Sequence, residues 1–450
     1  MSFTAVVMAA GQGTRMKSQT PKVLHDLCGR PMVQWPILAA REAGADRVIV
    51  VTGPDGTAPD GCEHAIQPVA NGTGGAVVAA AELLGPDGAV VVINGDAALI
   101  TADALRALVD GHEAHATVAT VTLDDPAGYG RVIRDGDGRV VKIVETKSPG
   151  DATEAELAVN EVNGGVYVFD AAPLRAALAQ LDTDNAQGEL YLPDVVAKVD
   201  SADAVDLRDP ELLAGVNDRA ELAHVAAVLQ RRILDAHMRN GVTVVNPAAT
   251  TVDATVTLAG DVTLEPGTVL RGATTVGAGS TIGPSSTLID TVVGARSRLL
   301  HTYAIEARID DGVSVGPFAY LRPGTHLRDA AKVGTFVEIK NSDIGEGTKV
   351  PHLSYIGDAD VGPGTNLGAS TVTANYDGVS KHRTTIGARV KSSVDVTFVA
   401  PVRIGDDAWT AAGSVITDDV PDGALGVARS RQKNIPGYAA RRAARSESES

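Results

Sequence analysis

From residue 309 onward a branched aliphatic residue or a leucine returns at every sixth position: Ile309, Val315, Leu321, Leu327, Val333 and Ile339, then in a new phase Ile344, Val350 and Ile356, and again Val361 and Leu367. A lone helix repeats near 3.6 residues and an alternating hairpin repeats at two, so neither accounts for this spacing. A coil that turns one aliphatic side chain inward on each short rung does. The period is that of a hexapeptide-repeat parallel β-helix, in which each aliphatic residue stacks on the coil below while Gly and small residues make the corners. The stretches VGAGSTIGPSSTL and IGDDAWTAAGSVI keep the same unit, which extends the expected β-helix over residues 242–436. Its flat faces and open strand edges invite association; a homotrimer through the β-helix, with sites between subunits, is the expectation.

The first half follows a different pattern. The apolar runs TAVVMAA, RVIVV, AVVVINGD and ATVATVTL alternate with the helical segments PMVQWPILAAREAG, GTGGAVVAAAELL and TADALRALVDGHEA. That order predicts a Rossmann-like α/β domain with a mostly parallel sheet over residues 1–218. GRVIRDGDGRVVKIVE interrupts it with two strand-like runs around Asp-Gly turn chemistry, which predicts an inserted hairpin. Leu222, Val225, Leu229, Ile233 and Leu234 then recur at helical spacing before Gly241, so 219–241 reads as a linker helix. The polar, low-complexity end at 437–450 reads as a disordered tail.

Charge and cysteine content narrow the partners. With 39 Lys and Arg against 56 Asp and Glu, the formal charge is −17. Nucleic acid and anionic membrane surfaces demand a basic face, so neither is an expected partner. Cys28 and Cys62 are the only cysteines and form no metal-ligand spacing, which fits a reducing cytoplasm. No run of about 18 apolar residues and no leader pattern is present, so a cytoplasmic protein is expected.

Directly after the first apolar run comes MAAGQGTRMKSQTPKVLH. In open α/β sheets ligands bind beyond the carboxyl ends of the strands, and a glycine-rich turn there lets backbone N–H groups approach phosphates. Gly11 and Gly13 supply the turn, while Arg15 and Lys22 add two positive charges beside it. The spacing is neither the dinucleotide fingerprint nor a Walker loop. It suits a triphosphate, whose pyrophosphate leaving group two cations can neutralise as in-line attack develops.

The β-helix carries residues its core does not need. Arg322 in YLRPG, Glu338 and Lys340 in FVEIKN, His352 and Tyr355 in PHLSYIG, and the excursion TANYDGVSKHRT place polarity within a few coils of one another. Acylation of an amine needs a neutral nitrogen, hence a base near its proton, and a cationic grip on any phosphate that anchors the substrate.

The AAG-x-GTRM…PK run resembles the sugar-nucleotide pyrophosphorylases. With GYGR, VETK, AQGE, GVN and HLSYIGDAD following in order, residues 2–438 resemble the bifunctional bacterial enzymes that make UDP-N-acetylglucosamine, a precursor of peptidoglycan and lipopolysaccharide. The resemblance implies a nucleotidyltransferase domain followed by a left-handed parallel β-helix. It implies that Ala9, Ala10, Gly11, Gly13, Arg15 and Lys22 hold UTP; that Gln67, Gly72 and Thr73 read uracil; and that Gly130, Glu145 and Asn163 hold N-acetylglucosamine 1-phosphate. Asp96, in INGD, and Asn217, in GVN, would be the protein ligands of Mg2+, an ion satisfied by few oxygen donors plus water and phosphate.

On the β-helix the same resemblance makes His352 the base toward the 2-amino group of glucosamine 1-phosphate, with Glu338 orienting and polarising it. Arg322 and Lys340 would clamp the phosphate, and Tyr355 and Asn366 would position the sugar. Asn375 and Tyr376 would complete the site, with Lys381 offered to a neighbouring subunit. Ala369, Asn375, Tyr376, Ala412 and Arg429 correspond to acetyl-CoA contacts. Five positions depart from the pattern: Asn71 and Gly75 stand for Leu and His in LGTGHA, Ala98 for Pro, Gly164 for Thr, and Val394 for a Ser near the thioester, with Ser393 beside it. Two other readings stay open on the sequence: nucleotidyl transfer alone with the β-helix as a trimerisation scaffold, and a non-catalytic sugar-nucleotide-binding subunit.

Overall fold

The computed structural model describes residues 2–146, 151–185 and 187–448. The chain divides into two compact units, Met1–Arg232 and Ile233–Ser450. Lys147 of VETK and Ala186 of AQGE lie outside the described residues.

Among the described residues the first unit is built on one sheet of nine strands. Its strands are β1 (Phe3–Met8), β2 (Ala45–Thr52), β3 (Glu63–Ile66), β4 (Ala89–Asn94), β5 (Ala116–Thr122), β6 (Arg131–Arg134), β7 (Val140–Val144), β8 (Glu161–Asp170) and β9 (Ala202–Asp206). The order is β3-β2-β1-β4-β8-β5-β9, and β8 alone in that row runs antiparallel to its neighbours. The central strands β1 and β4 are covered on both faces, which is why FTAVVM and AVVVIN are nearly continuous apolar runs instead of alternating ones. Helices α1 (Gln34–Ala43), α2 (Thr73–Ala80) and α3 (Ala102–Asp110) fall where the sequence places them. The Asp-Gly segment forms the β6–β7 hairpin, and β6 attaches to β8 at Arg131↔Val162. Because β1 and β4 pair in register from Phe3↔Ala89 to Met8↔Asn94, the glycine loop and the INGD turn leave the sheet side by side; Gly95 N donates to Met8 O at 2.8 Å.

The predicted helix is observed as Arg219–Arg239, and the division between units falls inside it. Beyond it the second unit is a stack of short parallel strands in sheets of seven, ten, nine and three, the left-handed parallel β-helix. Every hexad residue from Ile309 to Leu367 named above is at most 4% exposed, and rungs superpose in register, Leu321 over Ile339 over Ile356.

Two expectations change. Corners were expected to be Gly or small, yet His301, Phe318, Phe336 and Leu353 occupy corners at φ 43°, 58°, 56° and 50°. Their side chains project outward, and stacking of Phe318 on Phe336 at 5.5 Å and on His301 at 5.1 Å offsets the left-handed conformation. The segment read as a disordered tail contains a helix, Tyr438–Ser448, since its Ala and Arg residues rank among the better helix formers.

Candidate functional sites

In the α/β unit most of the predicted residues line two depressions, and Gly13, Lys22 and Gly72 line neither. A groove of about 500 Å³ is bordered by Ala9, Ala10, Gly11 and Gln67. A cleft of about 800 Å³ is bordered by Arg15, Thr73, Asp96, Gly130, Glu145, Asn163 and Asn217. Lys22 links them: its neighbours Pro21 and Val23 border the groove, and its Nζ lies 2.5 Å from Asp96 Oδ2 on the cleft. Gly13 turns at φ 60°, and a Cβ there would stand 2.5 Å from Lys22 Cβ, so glycine lets the loop close over the lysine.

The proposed metal ligands are already paired with the proposed phosphate-binding cations. Lys22 meets Asp96, and Arg15 donates to Asn217 Oδ1 at 2.8 Å. Asn217 is further held by its backbone N–H to Glu221 at 2.6 Å. A carboxylate and an amide oxygen on one cleft fit an ion that keeps water and substrate phosphates as its remaining ligands. Tyr167, which the sequence reading did not single out, accepts from Asn163 Nδ2 at 2.7 Å and orients it.

Three departures acquire a physical account. A Cβ on Gly164 would fall on Leu213, so that leucine fills the volume a larger residue would take. Ala98 is a buried member of an apolar cluster with Met16, Leu27 and Leu99. A Cβ on Gly75 would fall on Asn71 Oδ1, so residues 71 and 75 share one space.

On the β-helix, Glu338, Tyr355 and Val372 stack on successive rungs of the ten-strand sheet, with Lys340 over Gly357 beside them. A Cβ on Gly357 would fall on the Tyr355 hydroxyl, so this glycine lets the Tyr355 ring lie along the rung. The Glu338 carboxylate, which the resemblance directs to His352, is taken by Arg322 at 2.8 Å. That hydrogen bond raises the Arg322 pKa. His352 is exposed at the end of Lys349–His352, level with Thr335.

Asp358 is a second residue the sequence reading missed. Its carboxylate accepts from Asn341 Nδ2 at 2.6 Å, from Lys340 Nζ at 3.2 Å, and from Asn375 Nδ2. Burial pushes the Asp358 carboxyl up, and the hydrogen bonds from Asn341, Asn375 and Lys340 outweigh it, so it stays below the ordinary carboxylate range. In HLSYIGDAD the only signal for Asp358 is an acidic side chain where the repeat accepts a small one.

The remaining predicted residues are more dispersed. Asn366 is exposed and bridges Lys349 and Lys391 across rungs. Tyr376 and Lys381 pair across the excursion, both exposed, with the Tyr376 hydroxyl donating to Gly378 O at 2.7 Å. Ala369 O accepts from Asp395 N at 2.8 Å, and Ala412 is half-buried. Arg429 is exposed, with its Cδ 3.8 Å from a Cβ built on Gly413. Val394 is 47% exposed, Ser393 is half-buried, and Ser392 points into the core.

Residues 5–197 match the family model of the MobA-like NTP transferase domain. Proteins named bifunctional protein GlmU align along nearly the whole chain: that of Mycolicibacterium gilvum is 48% identical over 98% of this chain and 93% of its own. The Streptomyces coelicolor protein is 49% identical over 97% and 94%, and that of Mycobacterium tuberculosis 47% over 98% and 92%. The chain belongs to the bifunctional GlmU family. Membership in the GlmU family makes it a multifunctional transferase with a nucleotidyltransferase half and an acyltransferase half. Among the described residues no helix is long and apolar enough to cross a membrane.

Proposed function

We propose that the chain catalyses two consecutive steps of UDP-N-acetylglucosamine synthesis in the cytoplasm. On the β-helix, His352 takes a proton from the 2-amino group of glucosamine 1-phosphate. The freed nitrogen attacks the thioester carbonyl of acetyl-CoA, the carbon–sulfur bond breaks, and the thiol leaves. Arg322 and Lys340 hold the sugar phosphate, Tyr355 and Asn366 the sugar, and Asn375 the reacting end. Tyr376, Ala369, Ala412 and Arg429 face acetyl-CoA, with Lys381 offered to a neighbouring subunit. Position 394 carries no hydroxyl, so its backbone N–H is left to meet the developing oxyanion.

In the α/β unit a phosphate oxygen of N-acetylglucosamine 1-phosphate attacks the α-phosphorus of UTP, and the bond to the β-phosphate oxygen breaks to release pyrophosphate. Asp96 and Asn217 hold Mg2+, which supplies charge neutralisation on the phosphates when bound. Arg15 and Lys22 exchange their present partners for phosphate oxygens. Gln67, Gly72 and Thr73 face uracil, and Gly130, Glu145 and Asn163 the N-acetylated sugar. The chain acts as a homotrimer through the β-helix, a reading supported by exposed apolar corners at Phe318, Phe336 and Leu353.

The observation that carries this function is the convergence of Arg322, Glu338, Lys340, Tyr355 and Asn375 on adjacent rungs, since a scaffold needs none of them. Thiol release from acetyl-CoA with glucosamine 1-phosphate tests it. The intact protein is expected to release thiol and His352→Ala to lose it while pyrophosphate release persists. An intact protein that releases no thiol would reduce the function to nucleotidyl transfer.

A further inference from the structure

Residues 71 and 75 leave the LGTGHA pattern together, and the structure ties them to a third residue. Glycine at 75 makes room for the Asn71 amide, whose Oδ1 occupies the place where a side chain at 75 would begin. From there Asn71 Oδ1 accepts from Gln67 Nε2 at 2.8 Å, and Gly72 O accepts from the same nitrogen at 3.0 Å. A backbone carbonyl can only accept, so Gly72 O fixes which end of the Gln67 amide is nitrogen. Both amide protons are then committed, one to each oxygen. Gln67 is 5% exposed and its backbone N–H is tied to Thr52 O at 2.8 Å, so the side chain has little freedom to turn over. What it retains for a ligand is the acceptor Oε1.

The geometry points to Asn71 as a specificity-determining residue for the nucleobase: by taking the second proton of the Gln67 amide, it makes Gln67 a pure acceptor. An acceptor matches the ring N3–H of uracil and opposes the bare N3 lone pair of cytosine. This rests on the assignment of the groove beside Ala9, Ala10 and Gly11 to the base of UTP, and adds which residue sets the hydrogen-bonding sense of the reader. A leucine at 71 would remove one of the two acceptors that hold the Gln67 amide in place, leaving a buried amide proton unpaired and the amide able to turn it toward cytosine N3. An aspartate would still accept it.

The test measures pyrophosphate release from UTP and from CTP, each with N-acetylglucosamine 1-phosphate, for the full chain and for Asn71→Leu, Asn71→Asp and Gly75→Ala. The intact protein is expected to prefer UTP. Asn71→Leu lowers the UTP-over-CTP ratio of kcat/KM by about tenfold. Gly75→Ala displaces the Asn71 amide without changing its chemistry and lowers the ratio in the same direction. Asn71→Asp stays within about threefold of the intact ratio, which a merely structural role for residue 71 does not explain. A thermal unfolding transition of each variant that coincides with that of the intact protein reports that the α/β unit is folded. If Asn71→Leu and Gly75→Ala both keep the ratio of a discriminating intact protein, the inference is overturned. If the intact protein itself does not discriminate UTP from CTP, the base assignment beneath it falls instead.

Discussion

Asn375 donates its side-chain N–H to the carboxylate of Asp358, and both residues are buried, at 8% and 6% exposure. The same carboxylate holds Lys340 at 3.2 Å, so one acidic group fixes two side chains assigned to substrate. Asp358→Ala leaves Lys340 and Asn375 free to rotate, and loss of a near-attack geometry by about 1 Å costs on the order of a hundredfold. Acetyl transfer is expected to fall at least tenfold. Pyrophosphate release by the α/β unit of the same chain should stay unchanged. Equal loss of both activities would mean general unfolding.

Asp358 also sets a pH dependence. Its native pKa lies below the ordinary carboxylate value, so the unfolded chain binds more protons there than the folded chain. Stability from this group is therefore complete above the unfolded pKa of about 3.9 and is lost as pH falls through the lower native value. The Tm difference between the intact protein and Asp358→Asn should be constant from about pH 7 to pH 5 and shrink only below about pH 4. A difference that vanishes already near neutral pH would assign the linkage to another group.

In the other unit, Lys22 and Asp96 meet at 2.5 Å on the edge of the cleft, with only 16% and 15% of their side chains exposed. Under the proposed function, Lys22→Met removes the charge assigned to the breaking α- to β-phosphate bond, and it leaves Asp96 without its partner. Loss of one such electrostatic contact costs about 10²–10³ in kcat. Pyrophosphate release should fall by that factor while thiol release is retained. A variant with lowered affinity for UTP but intact kcat would make Lys22 a ground-state binder only.

What was legible in the sequence follows from what each feature depends on. The hexad is a local, repeated requirement, so the sequence alone places the hexad residues from Ile309 to Leu367 in the core. Helices α1 to α3, the Arg219–Arg239 helix and the β6–β7 hairpin were legible for the same reason, through period and Asp-Gly turn chemistry. The β8 strand, antiparallel between β4 and β5, was not, because pairing between Ile93 and Val166 is a long-range event with no local mark. Asp358 escaped because its role depends on Asn341 and Asn375, one neighbouring coil away on either side of the sequence. The corner residues Phe318 and Phe336 escaped because their conformation is offset by stacking on each other, a property of the coil repeat in space rather than of either residue.

Ile339 joins the core to the site. It lies between Leu321 and Ile356 in register, is 0% exposed, and stands between Glu338 and Lys340 on one strand. Side chains alternate along a strand, so the packing that draws residue 339 inward turns 338 and 340 outward to the site. Ile339→Ala removes atoms from a column whose rungs are held above and below, and such truncations cost about 2–5 kcal/mol, against 0.5–1.5 for Ile339→Val. Calorimetry should show the β-helix transition lowered strongly by the alanine and slightly by the valine. Acetyl transfer at 25 °C should follow the same order, because the strand that carries Glu338 and Lys340 loosens with its core. Full acetyl transfer in a destabilised Ile339→Ala would mean that Glu338 and Lys340 are held by Arg322 and Asp358 alone, independently of the rung beneath them.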